Sequence, residues 1–76
     1  MTEREAQKRK ILNWMLSGMA ITQQIATDLF DCTRLGARIY DLRRDGVPVQ
    51  SGWEYKLDKD GKVEKKWKRY WIAVAQ

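Results

Sequence analysis

The sequence predicts an α+β domain in which three helices are followed by a β-hairpin. Apolar residues recur at helical spacing as far as Gly46, then alternate with polar ones at the two-residue period of a strand from Val49 onward. Turn formers at Gly18, Asp31-Cys32-Thr33, Gly46 with Pro48, and Asp58-Lys59-Asp60-Gly61 fall between these segments. A chain of 76 residues is long enough for one small compact domain, and residues 2–75 are expected to form it.

The first helix is expected over residues 2–17. Thr2 and Glu5 have the spacing of a capping box, in which a hydroxyl and a carboxylate satisfy backbone N–H groups at the helix start. Ile11, Leu12, Met15 and Leu16 form its apolar stripe, and Gly18 ends it in the left-handed conformation that glycine adopts cheaply. Trp14 reads as lying on the opposite side. Thr22 is the expected N-cap of a second helix over residues 23–30, with Ile25, Ala26, Leu29 and Phe30 inward and Gln23, Gln24, Thr27 and Asp28 outward. After a short break, Thr33 is expected to cap a third helix that runs to Arg44 or Asp45, with Leu35, Ile39 and Leu42 inward. Three helices with tight joints have the layout of a helix-turn-helix. Val49, Ser51, Trp53, Tyr55 and Leu57 then form one face of a strand. A returning β segment from Val63 to Val74 places Tyr70, Ile72 and Val74 on one side and Trp67, Arg69 and Trp71 on the other. The whole is a three-helix helix-turn-helix followed by a β-hairpin wing, a winged helix.

Composition narrows the chemistry. One cysteine (Cys32) and no histidine leave no internal disulfide, no Cys/His zinc site and no Ser-His-Asp or Cys-His catalysis. Cys32 reads as a buried turn residue, and Asp58-x-Asp60-Gly61 as a turn that lacks both key carboxylates of a calcium loop. No apolar run is long enough for a membrane span or a signal-peptide core, so a cytoplasmic chain is expected, associated with the nucleoid if DNA-bound. The net charge of +5 and pI of 9.6 favour a polyanionic partner. A non-enzymatic binding protein without cofactor, metal or small-molecule substrate is the expectation.

Ile21-Thr22 through Gly46, with the segments Asp31-Cys32-Thr33-Arg34-Leu35 and Arg38-Ile39-Tyr40-Asp41-Leu42-Arg43, resembles the small helix-turn-helix proteins of bacteriophages and prophages. In that family a short wing ends in an aromatic-rich strand, as Lys68-Arg69-Tyr70-Trp71-Ile72 does here. The resemblance covers residues 10–73 and implies a winged helix-turn-helix with a DNA-binding or regulatory role. Two features depart from the general pattern. Phe30 and Asp31 occupy the turn where glycine is common, and Gly36 sits within the third helix.

With Leu35, Ile39 and Leu42 inward, helical periodicity turns Thr33, Ala37, Tyr40, Asp41 and Arg44 outward, with Arg34 and Arg38 along one flank. Arginine matches guanine edges and phosphates through its fixed fork of donors, so the Arg34/Arg38 flank is the favoured DNA contact. The competing view pairs these arginines with Asp41 and Asp45 on a solvated face. Lys62, Lys65, Lys66, Lys68 and Arg69 make the wing a second basic patch for phosphates, although lysines on a strand also block edge-to-edge aggregation. Arg4, Lys8, Arg9 and Lys10 read as ordinary solvated surface. Trp53 and one of Trp67 or Trp71 are expected to pack the hairpin onto the helices. Trp14 and Trp71 are the candidate protein interface, serving a homodimer or a host protein.

The expected function is sequence-specific binding of double-stranded DNA by a phage- or prophage-encoded regulator of transcription or recombination. The alternative is a phage-encoded module that inhibits or recruits a host nucleic-acid enzyme.

Overall fold

The structure is a computed structural model in which residues 2–73 are described, so Val74 and the expected domain end at residue 75 lie outside the described residues. The elements run α1 (Glu3–Leu16), β1 (Ile21–Thr22), α2 (Gln23–Phe30), α3 (Leu35–Arg44), β2 (Val49–Leu57) and β3 (Val63–Ile72). The expected winged-helix order of helices and hairpin is present. The unexpected element is β1, which adds two residues to the hairpin and makes an antiparallel sheet of order β1-β3-β2. Ile21 lies opposite Tyr70 and Thr22 opposite Arg69, so the start of α2 is tied directly to the wing.

Local chemistry sets the helix ends. The Thr2 hydroxyl accepts from the Glu5 N–H at 3.1 Å, and the Thr22 hydroxyl accepts from the Ile25 N–H at 3.3 Å. Asp31 ends α2 in the left-handed region (φ 52°), and the Cys32 N–H closes the turn onto the Ala26 carbonyl at 3.0 Å. Asp is one of the few non-glycine residues that tolerate this conformation, which is why the turn does without glycine. The N-cap of α3 is Arg34, not Thr33, and it makes no side-chain cap. Gln23 takes over the task from α2: its Oε1 accepts from the Leu35 N–H at 3.0 Å, while its Nε2 donates to the Cys32 carbonyl at 2.8 Å.

The core is built from Ile11 and Met15 of α1, Ile21, Ala26, Cys32, the α3 stripe Leu35, Ile39 and Leu42, and Val49 and Ile72 of the sheet. Each large aliphatic side chain buried here contributes about 1.5–3 kcal/mol. Two parts of the expected stripes fall outside it, since Leu16 and Leu29 are exposed. Trp14 corrects the reading of α1. It packs against the core with its ring edge-on to Phe30 (5.8 Å, 77°), and its Nε1 donates to the Ala20 carbonyl at 2.8 Å. At about 100° per residue, Trp14 lies only about 60° from Ile11, whereas Leu16 lies about 140° away.

The hairpin register is continuous from Val49 opposite Ile72 to Lys56 opposite Lys65, with an irregularity before Leu57. Asp58 fixes its turn, accepting at Oδ1 from the Asp60 and Lys62 N–H groups, both at 2.9 Å. Gly61 supplies the left-handed residue there (φ 79°). Trp53, expected to hold the hairpin on the helices, is 53% exposed. Its strand runs out beyond the core, and the described residues extend 48 × 30 × 19 Å.

Candidate nucleic-acid interface

Helix α3 divides into a face that holds and a face that is offered. Its inner stripe anchors the core. On one flank, Asp41 is buried (7% exposed), contrary to the outward placement expected for it. Arg4 of α1 grips it with both prongs: Nε donates to Oδ2 at 3.0 Å and Nη2 to Oδ1 at 2.6 Å. One turn further along both helices, the Lys8 ammonium donates to Asp45 Oδ2 at 2.7 Å. The basic residues Arg4 and Lys8, expected to be plain surface, therefore clamp α1 against α3. Hydrogen bonding from Arg4 holds the Asp41 carboxyl below the usual carboxylate range, outweighing the opposing effect of burial. The same bonds raise Arg4 and Lys8 above their ordinary values.

Arg38 also belongs to this flank. Its side chain is only 14% exposed, and its Nε lies 3.2 Å from Asp41 Oδ2. It was the favoured contact residue together with Arg34, and the structure separates the two: Arg34 is exposed at the α3 N-terminus, while Arg38 is turned toward Asp41. Helix α1 lies along this flank of α3, a packing that the periodicity of α3 alone does not show.

The offered face carries Thr33, Arg34, Gly36, Tyr40 and Arg44, all exposed, with Ala37 half-buried beside them. Tyr40 is 65% exposed. A Cβ built on Gly36 would meet nothing within 4 Å, so the backbone is open to approach there. Arg43 is used internally, with Nε and Nη2 donating to the Val49 carbonyl at 3.3 and 3.2 Å. This bond sets where β2 leaves the helix.

A groove separates the helices from the wing. Thr22, Gln24 and Thr27 line it from the α2 side, Gly36 from α3, and Lys65 and Lys68 from β3. The N-terminal turn of α3 and the basic wing thus border the same depression. Lys62, Lys65 and Lys66 are exposed and Lys68 is half-buried. Arg69 differs from these lysines: it pairs with Glu54 (3.5 Å) and stacks on the Trp71 ring (4.8 Å). Trp71 in turn lies across Gly52, where an added Cβ would come within 3.2 Å of the ring. Both tryptophans expected at a protein interface, Trp14 and Trp71, are half-buried in contacts within the chain.

The sum of these pairings is electrostatic. The two acids that would have opposed a polyanion near α3 are neutralised by α1, while Arg34, Arg44, Lys62, Lys65, Lys66 and Lys68 have no carboxylate partner among the described residues. Sequence reasoning missed Gln23, Gln24 and Thr27 at the groove and the clamp by Arg4 and Lys8. The clamp did have a signal, because Arg4/Lys8 and Asp41/Asp45 share the i, i+4 spacing of one helical face.

A protein-family model described as a winged helix-turn-helix domain matches residues 6–75. No curated protein and no solved structure matches the chain.

Proposed function

The chain belongs to the winged helix-turn-helix domain family, and on that premise we propose that it binds double-stranded DNA sequence-specifically as a regulator of transcription or recombination. In this reading α3 enters the major groove. Arg34 and Arg44 reach base edges or phosphates, Tyr40 and Thr33 add polar contacts, and Gly36 and Ala37 allow close approach. The wing lysines Lys62, Lys65, Lys66 and Lys68 grip the neighbouring phosphate backbone, which adds affinity and salt dependence without sequence information. Arg38 and Asp41 act as positioning residues through α1, and Arg69 contributes only as far as its pairing with Glu54 allows.

The observation that carries this reading is the charge left over after internal pairing. Among the described residues, Arg34 and Arg44 of α3 and Lys62, Lys65, Lys66 and Lys68 of the wing have no carboxylate partner, and Lys65 and Lys68 border a groove that Gly36 of α3 lines from the other side. Resemblance to phage and prophage proteins supports a phage regulator. A module that captures a host enzyme has less support, because Trp14 and Trp71, its proposed anchors, are engaged within the chain. On a two-fold operator two copies would bind, meeting through α1 or β3, and the stoichiometry of the complex reads this directly. Among the described residues no helix is long and apolar enough to cross a membrane.

The test is fluorescence anisotropy on a labelled random duplex at several salt concentrations, followed by selection of a preferred site. Micromolar binding that weakens steeply with salt is expected. Arg34→Ala and Arg44→Ala should each cost about 1–3 kcal/mol on the selected site where they read a base. A folded sample that ignores duplex DNA at low salt refutes the proposal.

A further inference from the structure

The sheet has one face that begins as core and ends in solvent. Val49 and Ile72 pair across it and are buried against the helices. Further out on the same face, Trp53 stands opposite Lys68 and Tyr55 opposite Lys66. Neither aromatic side chain is covered: Trp53 is 53% exposed and Tyr55 57% exposed. Both lysines lie against the Trp53 ring, with Lys66 Nζ 5.0 Å and Lys68 Nζ 5.8 Å from its centre. Exposed rings alternating with cations, and no acid at these paired positions, are a surface that complements a polyanion carrying flat aromatic groups.

Duplex DNA does not suit it. Residues i and i+2 of a strand are about 7 Å apart, about twice the 3.4 Å rise of stacked bases along one DNA strand. In a duplex the base faces are hidden against one another, so two rings at this spacing have nothing flat to meet. A single strand whose bases have come apart offers both the faces and the reach.

We propose that the outer half of the wing is a binding site for single-stranded DNA. Trp53 and Tyr55 stack on successive unpaired bases, and Lys68 and Lys66 hold the flanking phosphates of that strand in place of the duplex backbone they follow on unbroken DNA, where Lys62 and Lys65 remain. The inference rests on the DNA-binding reading above and extends it: α3 engages a duplex while the wing holds a strand that has left it, as at a fork or a locally melted site.

The experiment uses the full chain and three fluorescein-labelled probes read by anisotropy: a twelve-residue oligo-dT, a blunt random duplex, and the same duplex with a dT arm. Wild type should prefer the armed duplex to the blunt one. Trp53→Ala and Tyr55→Ala should each weaken oligo-dT binding roughly 5- to 150-fold, the range for loss of one base–aromatic stack. Blunt-duplex affinity should change less than about twofold, and Trp53→Phe should retain most of the oligo-dT binding. Circular dichroism establishes that each variant is folded. Oligo-dT affinity unchanged in both alanine variants overturns the inference, and intact duplex binding in the same samples leaves the duplex reading standing. Equal losses on oligo-dT and blunt duplex also overturn it, because the rings would then serve contact with DNA of any form. Ring-dependent oligo-dT binding without duplex binding would uphold this site and overturn the duplex reading instead.

Discussion

Replacing Gly36 with alanine should move stability and DNA binding in opposite directions. Gly36 is the second residue of α3, its φ is not positive, and an added Cβ meets no atom within 4 Å. Nothing in the folded chain therefore requires glycine there. Glycine within a helix costs about 0.5–1 kcal/mol relative to alanine, and a position in the first turn belongs at the lower end. Gly36→Ala should accordingly stabilise the domain by about 0.5 kcal/mol. For a domain of this size that is a rise of about 2–4 °C in Tm, readable by circular dichroism. On the DNA side the same methyl group would intrude between α3 and the groove floor. Inserting a methyl-sized group into a closely packed contact costs about 1–3 kcal/mol, so duplex affinity should fall about 5- to 150-fold in anisotropy. A lower Tm would mean that the glycine serves the fold after all. A higher Tm with unchanged affinity would remove Gly36 from the contact face and with it the close approach of α3.

Gln23→Ala removes the group that caps α3 and ties the turn at Cys32; it should cost about 0.5–2 kcal/mol in urea denaturation, as helix-cap losses do. Asp41 titrates below its ordinary value in the folded chain, so the stability it confers is present above the unfolded carboxylate pKa and is lost as pH falls through the lower folded value. Asp41→Asn should therefore lower Tm at neutral pH and flatten the acid side of a Tm-against-pH curve; an acid limb identical to wild type would contradict the clamp. Lys65→Ala with Lys66→Ala should weaken binding to all duplex sequences alike and reduce the slope of log affinity against log salt by up to about two. A slope that stays the same would take these lysines off the phosphates.

Patterns confined to neighbouring residues were readable in the sequence. The change of period after Gly46 located the end of the helices and the start of the wing, and Thr2, Thr22 and Gly18 marked helix ends because caps act within a few residues. Contacts between distant elements were not. Alternation placed Val49, Trp53 and Tyr55 on one face, but only the extent of the helices beneath the sheet decides that Val49 is covered and Trp53 is not. Strand β1 has two residues, too few to show a period, and they pair with Tyr70 and Arg69, 49 and 47 residues further along the chain. The Trp14 assignment failed through choice of stripe, since Ile11 and Met15 centre the buried arc and Leu16 lies beyond it. At the site, the periodicity of α3 placed Arg44 outward, where it is exposed, and set Arg34 with Arg38 on one flank, of which only Arg34 is exposed. The burial of Asp41 and the turning of Arg38 toward it were not legible, because the first helix packed along their flank is invisible to the periodicity of α3 alone.

The clamp between α1 and α3 also bears on how this chain can change over evolutionary time. Helix α3 is held by Leu35, Ile39 and Leu42 on one side and by Asp41 and Asp45 on another. The exposed positions Arg34, Gly36, Tyr40 and Arg44 make no side-chain hydrogen bond or ion pair among the described residues. Substitutions at those four positions cost the fold little, so if α3 reads DNA as proposed, drift there would exchange one target sequence for another within an unchanged scaffold. A library randomised at these positions would inherit a helix already aimed, and selection would act on recognition without first having to rescue folding.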